Sequence, residues 1–141
     1  MRVLINRKTR SSIDEARLRR ACLRALREEG ARQDAMVSVT ALSEREMREL
    51  NRRYLGRDGA TDVLAFPMLE LGGDGFLLGD VIICPAYVRR HRARYATEEG
   101  RELEMVTVHG ILHLLGYEDD DAEGAEAMDR RVREILRLGE R

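Results

Sequence analysis

The sequence predicts an α/β (α+β) protein: a single domain, with a small mixed sheet of about four strands covered by about five helices. Three observations carry this. Short alternating or β-branched segments take turns with helix-periodic ones, in the order β-α-β-α-β-β-α-α-α. The length, 141 residues, is that of one domain, and a chain near this size buries roughly 68–70% of its unfolded surface without staples. The link Gly72-Gly73-Asp74-Gly75 is short enough that the third and fourth strands are expected to be antiparallel.

The elements follow in order. Arg2 to Asn6 reads as a strand. Ser11, Ser12 and Asp14 offer helix-start chemistry, Leu18, Ala21, Cys22, Ala25 and Leu26 form an apolar stripe of period 3.6, and Gly30 stops the helix. Met36 to Leu42 alternates and is β-branched, as a strand. Ser43 with Glu46 is a capping box for a helix that turns Met47, Leu50 and Tyr54 inward and ends at Gly56. Thr61–Pro67 and Leu77–Cys84 are the strands of the hairpin. Pro85 suits the first turn of a helix carrying Arg89, Arg90, His91, Arg92 and Arg94. A helix from about Thr97 to Leu115 buries Leu103, Val106, Ile111, Leu112 and Leu115, with Gly116 as its terminator. Asp120 with Glu123 caps the last helix, with Ala125, Met128, Val132, Ile135 and Leu136 inward and Gly139 at its end.

Composition excludes several classes. There is no run of 18 apolar residues, hence no membrane span, and the N-terminus lacks the apolar core and cleavage site of a signal peptide. Cys22 and Cys84 stand alone, which fits buried thiols in a reducing cytoplasm rather than a disulfide framework or a thiolate zinc site. Aromatics make up 4% of the chain and Trp is absent, so a base-stacking platform would be thin. The net charge of −1 hides an asymmetry: residues 1–97 carry 19 basic and 13 acidic side chains, net +6, and residues 98–141 carry 6 and 13, net −7. Nearly all of the base is arginine, 24 against the single Lys8.

Two of the three histidines, His109 and His113, are four apart on a helix. Their imidazoles leave one face with Cβ atoms about 5–6 Å apart, close enough to share a metal. The pattern continues as His-x-x-x-His-x-x-Gly-x-x-Asp. Gly116 can take the positive φ that ends a helix and returns the chain, so Asp119, ten residues after the first His, is placed to be a third ligand; Asp120 and Asp121 are alternatives. Zinc proteases place a third histidine at this offset, but they follow the first His with a glutamate base, and here Gly110 stands there. A glycine inside a helix costs about 1 kcal/mol against alanine, which points to a close approach at that position. Two His and one carboxylate also make the facial triad of non-haem iron, although the helical spacing favours zinc.

These residues resemble a family, the YbeY endoribonucleases or rRNA maturation factors, over nearly the whole chain. Asn51, Tyr54, Gly56, Asp58, Thr61, Asp62, Val63, Leu64, Phe66 and Pro67 are similar to its LN-x-x-Y…TDVLSFP block. Gly79-Asp80 and the strand after them resemble its GDI-x-I block. His109 to Tyr117 resembles its HGxLHLxGY signature, and Met128 and Glu134 fit its last helix. The resemblance implies a single domain over residues 1–141: a cytoplasmic, zinc-dependent endoribonuclease that cuts single-stranded RNA in rRNA 3′-end maturation and ribosome quality control. Its partners would be pre-rRNA and the ribosome or its small subunit, and its one Zn²⁺ would sit on His109, His113 and the third position. Two departures stand out. Asp119 takes the place of the family's third His, and Leu55 that of the Arg after the block's tyrosine. An anionic ligand leaves zinc less electron-poor and its water less acidic than three imidazoles do.

The expected chemistry is metal-assisted phosphodiester hydrolysis, with water made acidic toward a pKa of about 7. Arg57 (or Arg53) stands in for the missing arginine, and Asp62, Asp80 and Glu118 are unassigned candidate bases. RNA contacts are expected from Arg53, Arg57 and the Arg89, Arg90 and Arg92 cluster, entering from the arginine side and avoiding the acidic stretch 118–126. His91 is expected to be exposed or a phosphate contact rather than a ligand. The rivals are a non-catalytic ribosome-assembly factor with a structural metal and, against Gly110, a metalloprotease.

Overall fold

A computed structural model describes residues 1–98 and 100–139. The expected order is present: β1 (Arg2–Arg7), α1 (Glu15–Glu28), β2 (Ala35–Ala41), α2 (Glu44–Leu55), β3 (Val63–Gly72), β4 (Gly75–Ile83), α3 (Pro85–Arg90), α4 (Glu102–Leu114) and α5 (Ala122–Leu136). A short 3₁₀ helix over Arg92–Tyr95 follows α3. The sheet is mixed, in the order β1-β2-β4-β3. β1 and β4 run parallel to β2, and the β3–β4 hairpin is antiparallel.

Alternation decides which face is covered. Along β2, Ala35, Val37, Val39 and Ala41 are buried while Met36, Ser38 and Thr40 are half-buried. The buried set joins one core with Leu18, Cys22 and Leu26 of α1, Val108, Ile111 and Leu112 of α4, and Met128, Val132 and Ile135 of α5. α4 is buried on nearly every side, the pattern of a helix enclosed by other elements rather than lying on a surface. α4 therefore fixes the positions of whatever polar side chains it carries.

The caps show where local rules hold. Asp14 Oδ1 accepts from Arg17 N at 3.1 Å and Ser43 Oγ from Glu46 N at 3.2 Å. At α5 the cap is Asp121, which accepts from Gly124 N at 2.7 Å, not Asp120. The helix ends with Arg137 in the left-handed region, before Gly139. α4 begins at Glu102 rather than near Thr97, and position 99 of the expected span lies outside the described residues. The helix expected to carry Arg89–Arg94 stops at Arg90. Two expected core residues are outside: Ala125 is exposed and Tyr54 is 60% exposed. Among the described residues no helix is long and apolar enough to cross a membrane.

Both cysteines are free and buried, and burial pushes the Cys22 thiol up to about 12 and raises that of Cys84. The thiolate is the reactive form. The native protein at pH 8 is therefore expected to show no fast-reacting thiol toward an aromatic disulfide reagent and two after denaturation.

Candidate metal centre and cleft

His109 and His113 lie on the part of α4 that faces solvent, with side chains 30% and 29% exposed, and Asp119 comes up beside them at 35%. Gly116, at φ 103°, ends the helix, and Tyr117 N returns to Leu112 O at 3.0 Å. That turn delivers two groups. The Tyr117 carbonyl meets His113 Nδ1 at 3.0 Å. Two residues later, Asp119 Oδ2 lies 3.3 Å from Nε2 of both histidines, which are 3.1 Å apart.

This donor set fits a metal ion. A carbonyl only accepts, so His113 Nδ1 carries the proton in the neutral ring and Nε2 holds its lone pair toward His109 and Asp119. Burial, and then the neighbouring His113, hold the His109 imidazole below its usual pKa, favouring the neutral ligating form. Bonds of about 2.0–2.1 Å in a tetrahedron place donors about 3.3 Å apart, close to the three separations here. Among the described residues, these three form the group of His, Cys, Asp or Glu side chains able to share a metal. Asp121 is occupied as the α5 cap, which favours Asp119 over it.

The trio opens into a cleft of about 550 Å³. One wall is β3 from Val63 to Ala65, with Asp62 and Pro67. Leu55 and Arg57, from the end of α2 and the loop after it, also line it, as does Glu118. The loop is held from α2. Buried Asn51 donates from Nδ2 to Gly59 O at 3.0 Å, and its backbone carbonyl accepts from Arg57 N at 3.4 Å. Gly110 also lines the cleft. A Cβ there would meet Val81 Cγ1 at 2.6 Å and Val63 Cγ2 at 3.1 Å, so the close approach expected at this position is the packing of α4 on the sheet. A protease-type glutamate has no room.

The structure separates the other candidates. Arg53 is exposed on α2. Arg89 and Arg92 line a different cavity, about 330 Å³, between α1, α3 and the start of α4. Arg89 donates to the Ser12 carbonyl, and Arg90 pairs with Glu44 at 2.5 Å. His91 is half-buried, not exposed: its Nδ1 donates to Tyr87 O at 2.8 Å and its ring lies 4.1 Å from that of Tyr87. Asp80 sits inside β4 opposite Phe66 and does not line the cleft.

Sequence reasoning listed Asp62 without its partner. Tyr95 Oη donates to Asp62 Oδ2 at 2.9 Å, and burial, followed by that carboxylate, raises the Tyr95 pKa. Arg133, 5% exposed, holds the Tyr95 and Ala96 carbonyls from α5. These contacts join residues far apart in sequence, so no local pattern announces them.

Two outcomes are expected. Zinc at 100 times its dissociation constant should stabilise the metal-free protein by about 2.7 kcal/mol in thermal or denaturant melts, and Asp119→Asn or His113→Ala should remove most of that gain. Gly110→Ala should lower the melting temperature, because overpacking costs about 1–3 kcal/mol and outweighs alanine's helix preference of about 1 kcal/mol.

The chain has clear relatives. A family model described as Endoribonuclease YbeY matches residues 4–139. An Endoribonuclease YbeY of Moorella thermoacetica is 41% identical over 128 residues, 84% of this chain and 82% of that one. One from Pseudomonas putida is 41% identical over 133 residues, 87% of this chain and 78% of that one. Another, from an Anaeromyxobacter species, is 42% identical over 106 residues, 75% of this chain, and the match spans 55% of that longer relative. The solution structure of a Thermotoga maritima protein matches with a TM-score of 0.63 and 30% identity, covering 95% of this chain and 89% of that one. Matched from the first strand to the end of the last helix, and 41% identical to relatives over most of both chains, the chain belongs to the Endoribonuclease YbeY family.

Proposed function

We propose that this protein is a zinc-dependent endoribonuclease that cuts single-stranded RNA. Its place is rRNA 3′-end maturation and ribosome quality control in the cytoplasm, with pre-rRNA and the small ribosomal subunit as partners. The observation that carries the reading is the triangle of His109 Nε2, His113 Nε2 and Asp119 Oδ2 in a cleft that Arg57 also lines. Family membership supports the substrate class.

His109, His113 and Asp119 would hold the zinc ion, which would supply Lewis acidity toward a phosphoryl oxygen and toward water near neutral pH. The protein's own groups set the rest. His113 is held in one tautomer by the Tyr117 carbonyl, so the donor face is organised before substrate arrives. Arg57, in the lining of the same cleft, holds phosphate oxygens and stabilises the charge they gain as water adds and the ester bond breaks. Asp62 and Glu118 are the carboxylates of the lining able to take the proton that water gives up. Arg53 extends the basic lip, and Arg89, Arg90 and Arg92 serve more distant phosphates.

A second reading, a non-catalytic ribosome-assembly factor with a structural metal, is favoured by one observation: Leu55 lines the cleft where the resemblance implies an arginine. Cleavage separates the two. Zinc-loaded wild type should cut single-stranded RNA and His113→Ala should not; equal rates would sink the enzyme reading. Arg57→Ala should cost roughly 100-fold or more in kcat, the scale of losing one group that stabilises transition-state charge. Arg90→Ala should leave kcat unchanged and lower the salt slope of RNA binding by about 1. Asp119→His should move the rising limb of the pH–rate profile to lower pH, since it replaces an anionic ligand with a neutral one.

A further inference from the structure

Tyr54 carries the apolar stripe of α2 by its spacing, yet it is 60% exposed. It is the largest of the exposed aromatic surfaces near the cleft, in a chain with two Phe and four Tyr. Its ring meets Phe66 edge-on, with centroids 5.8 Å apart and planes at 66°. An edge-on contact steadies a ring while leaving a face unused. Neither ring lines the metal cleft itself, but each is next in sequence to residues that do. Tyr54 adjoins Leu55, which lines the cleft and is 47% exposed, and Phe66 lies between Ala65 and Pro67, which also line it. Arg53 and Arg57 stand either side in sequence, the latter in the lining. β3 is an edge strand, so a chain held in the cleft can pass over that edge toward Tyr54.

We propose that Tyr54, backed by Phe66 and continued by Leu55, is a stacking subsite for one unpaired nucleobase beside the phosphate held in the cleft. An exposed, braced aromatic face next to an apolar side chain and flanked by cations matches a nucleobase on its ribose-phosphate chain. The subsite takes any base, because every base has a π-face. It selects single strands, because a paired base already has both faces stacked. Leu55 then has a role of its own: it trades a phosphate contact for apolar surface continuous with Tyr54. The proposal rests on the RNA-cleaving reading of the cleft.

The test uses zinc-loaded full-length protein and short oligoribonucleotides that carry 2-aminopurine at successive positions. Wild type should quench the probe at one position next to the cut, and Tyr54→Ala should lose that quenching. Tyr54→Ala should raise KM and Kd about tenfold with kcat within about twofold, while Tyr54→Phe and Tyr54→Trp stay near wild type. An abasic nucleotide at the quenched position should erase the difference between wild type and Tyr54→Ala. Equal KM for wild type and Tyr54→Ala, or a Tyr54→Phe as impaired as Tyr54→Ala, overturns the subsite and leaves the cleft reading standing. A wild type that neither binds nor cuts any of the oligonucleotides overturns both.

Discussion

The close packing of α4 against the β3–β4 hairpin is the contact on which the rest depends. It is possible because residue 110 has no side chain: Val81 and Val63 occupy the space where a Cβ would go. With the helix pressed down at that point, His109 lies directly before the contact and His113 one turn after it. The remaining faces of α4 are buried, so the helix has little freedom to roll. A metal site needs donor atoms placed to within a fraction of an ångström, and here the placement comes from core packing rather than from the surface loops. The Gly116 turn adds the last part by returning the Tyr117 carbonyl and the Asp119 carboxylate to the same histidines.

The charge asymmetry of the sequence does not become a division in space. Arg17 of the basic part pairs with Glu104 of the acidic part at 3.3 Å, Arg131 reaches back to Glu29 at 2.6 Å, and Arg137 reaches Glu28 at 3.2 Å. Much of the arginine therefore ties the ends of the chain together. Buried Arg133 is the extreme case, with its guanidinium shared among Asp129 and the carbonyls of Tyr95, Ala96 and Gly139. The net charge of a stretch of sequence therefore does not mark out a basic face, and the arginine that lines the cleft is Arg57. Asn51 holds the loop after α2 from inside that helix, which gives a buried polar side chain a physical reason to be there.

The elements were legible because their causes are short-range. A capping serine, a stripe of period 3.6 and an alternating strand each act within a few residues, and α1, β2 and α2 lie within a residue or two of where those signals place them. The histidine pair and its carboxylate were legible for the same reason: all three fall within one helix and one turn. Errors came where a rule chose between near-equal local options, as with Asp121 over Asp120 at the α5 cap, or where periodicity was read as burial. Tyr54 and Ala125 keep the helical spacing of inward residues, but the structure leaves both exposed.

The sequence by itself determined the class of fold, the order of its elements, the antiparallel hairpin and which three side chains come together as a group able to share a metal, because each depends on neighbours along the chain. Only the tertiary structure decided what surrounds those donors. It brought Leu55 and Arg57 into the lining of the same cleft, paired Asp62 with Tyr95 across 33 residues, and carried Arg89 and Arg92 to a separate cavity. It also left Tyr54 exposed beside Leu55. These outcomes depend on how helices settle on a sheet, and that is decided by packing between segments far apart in sequence, such as the two valines that meet α4 at Gly110.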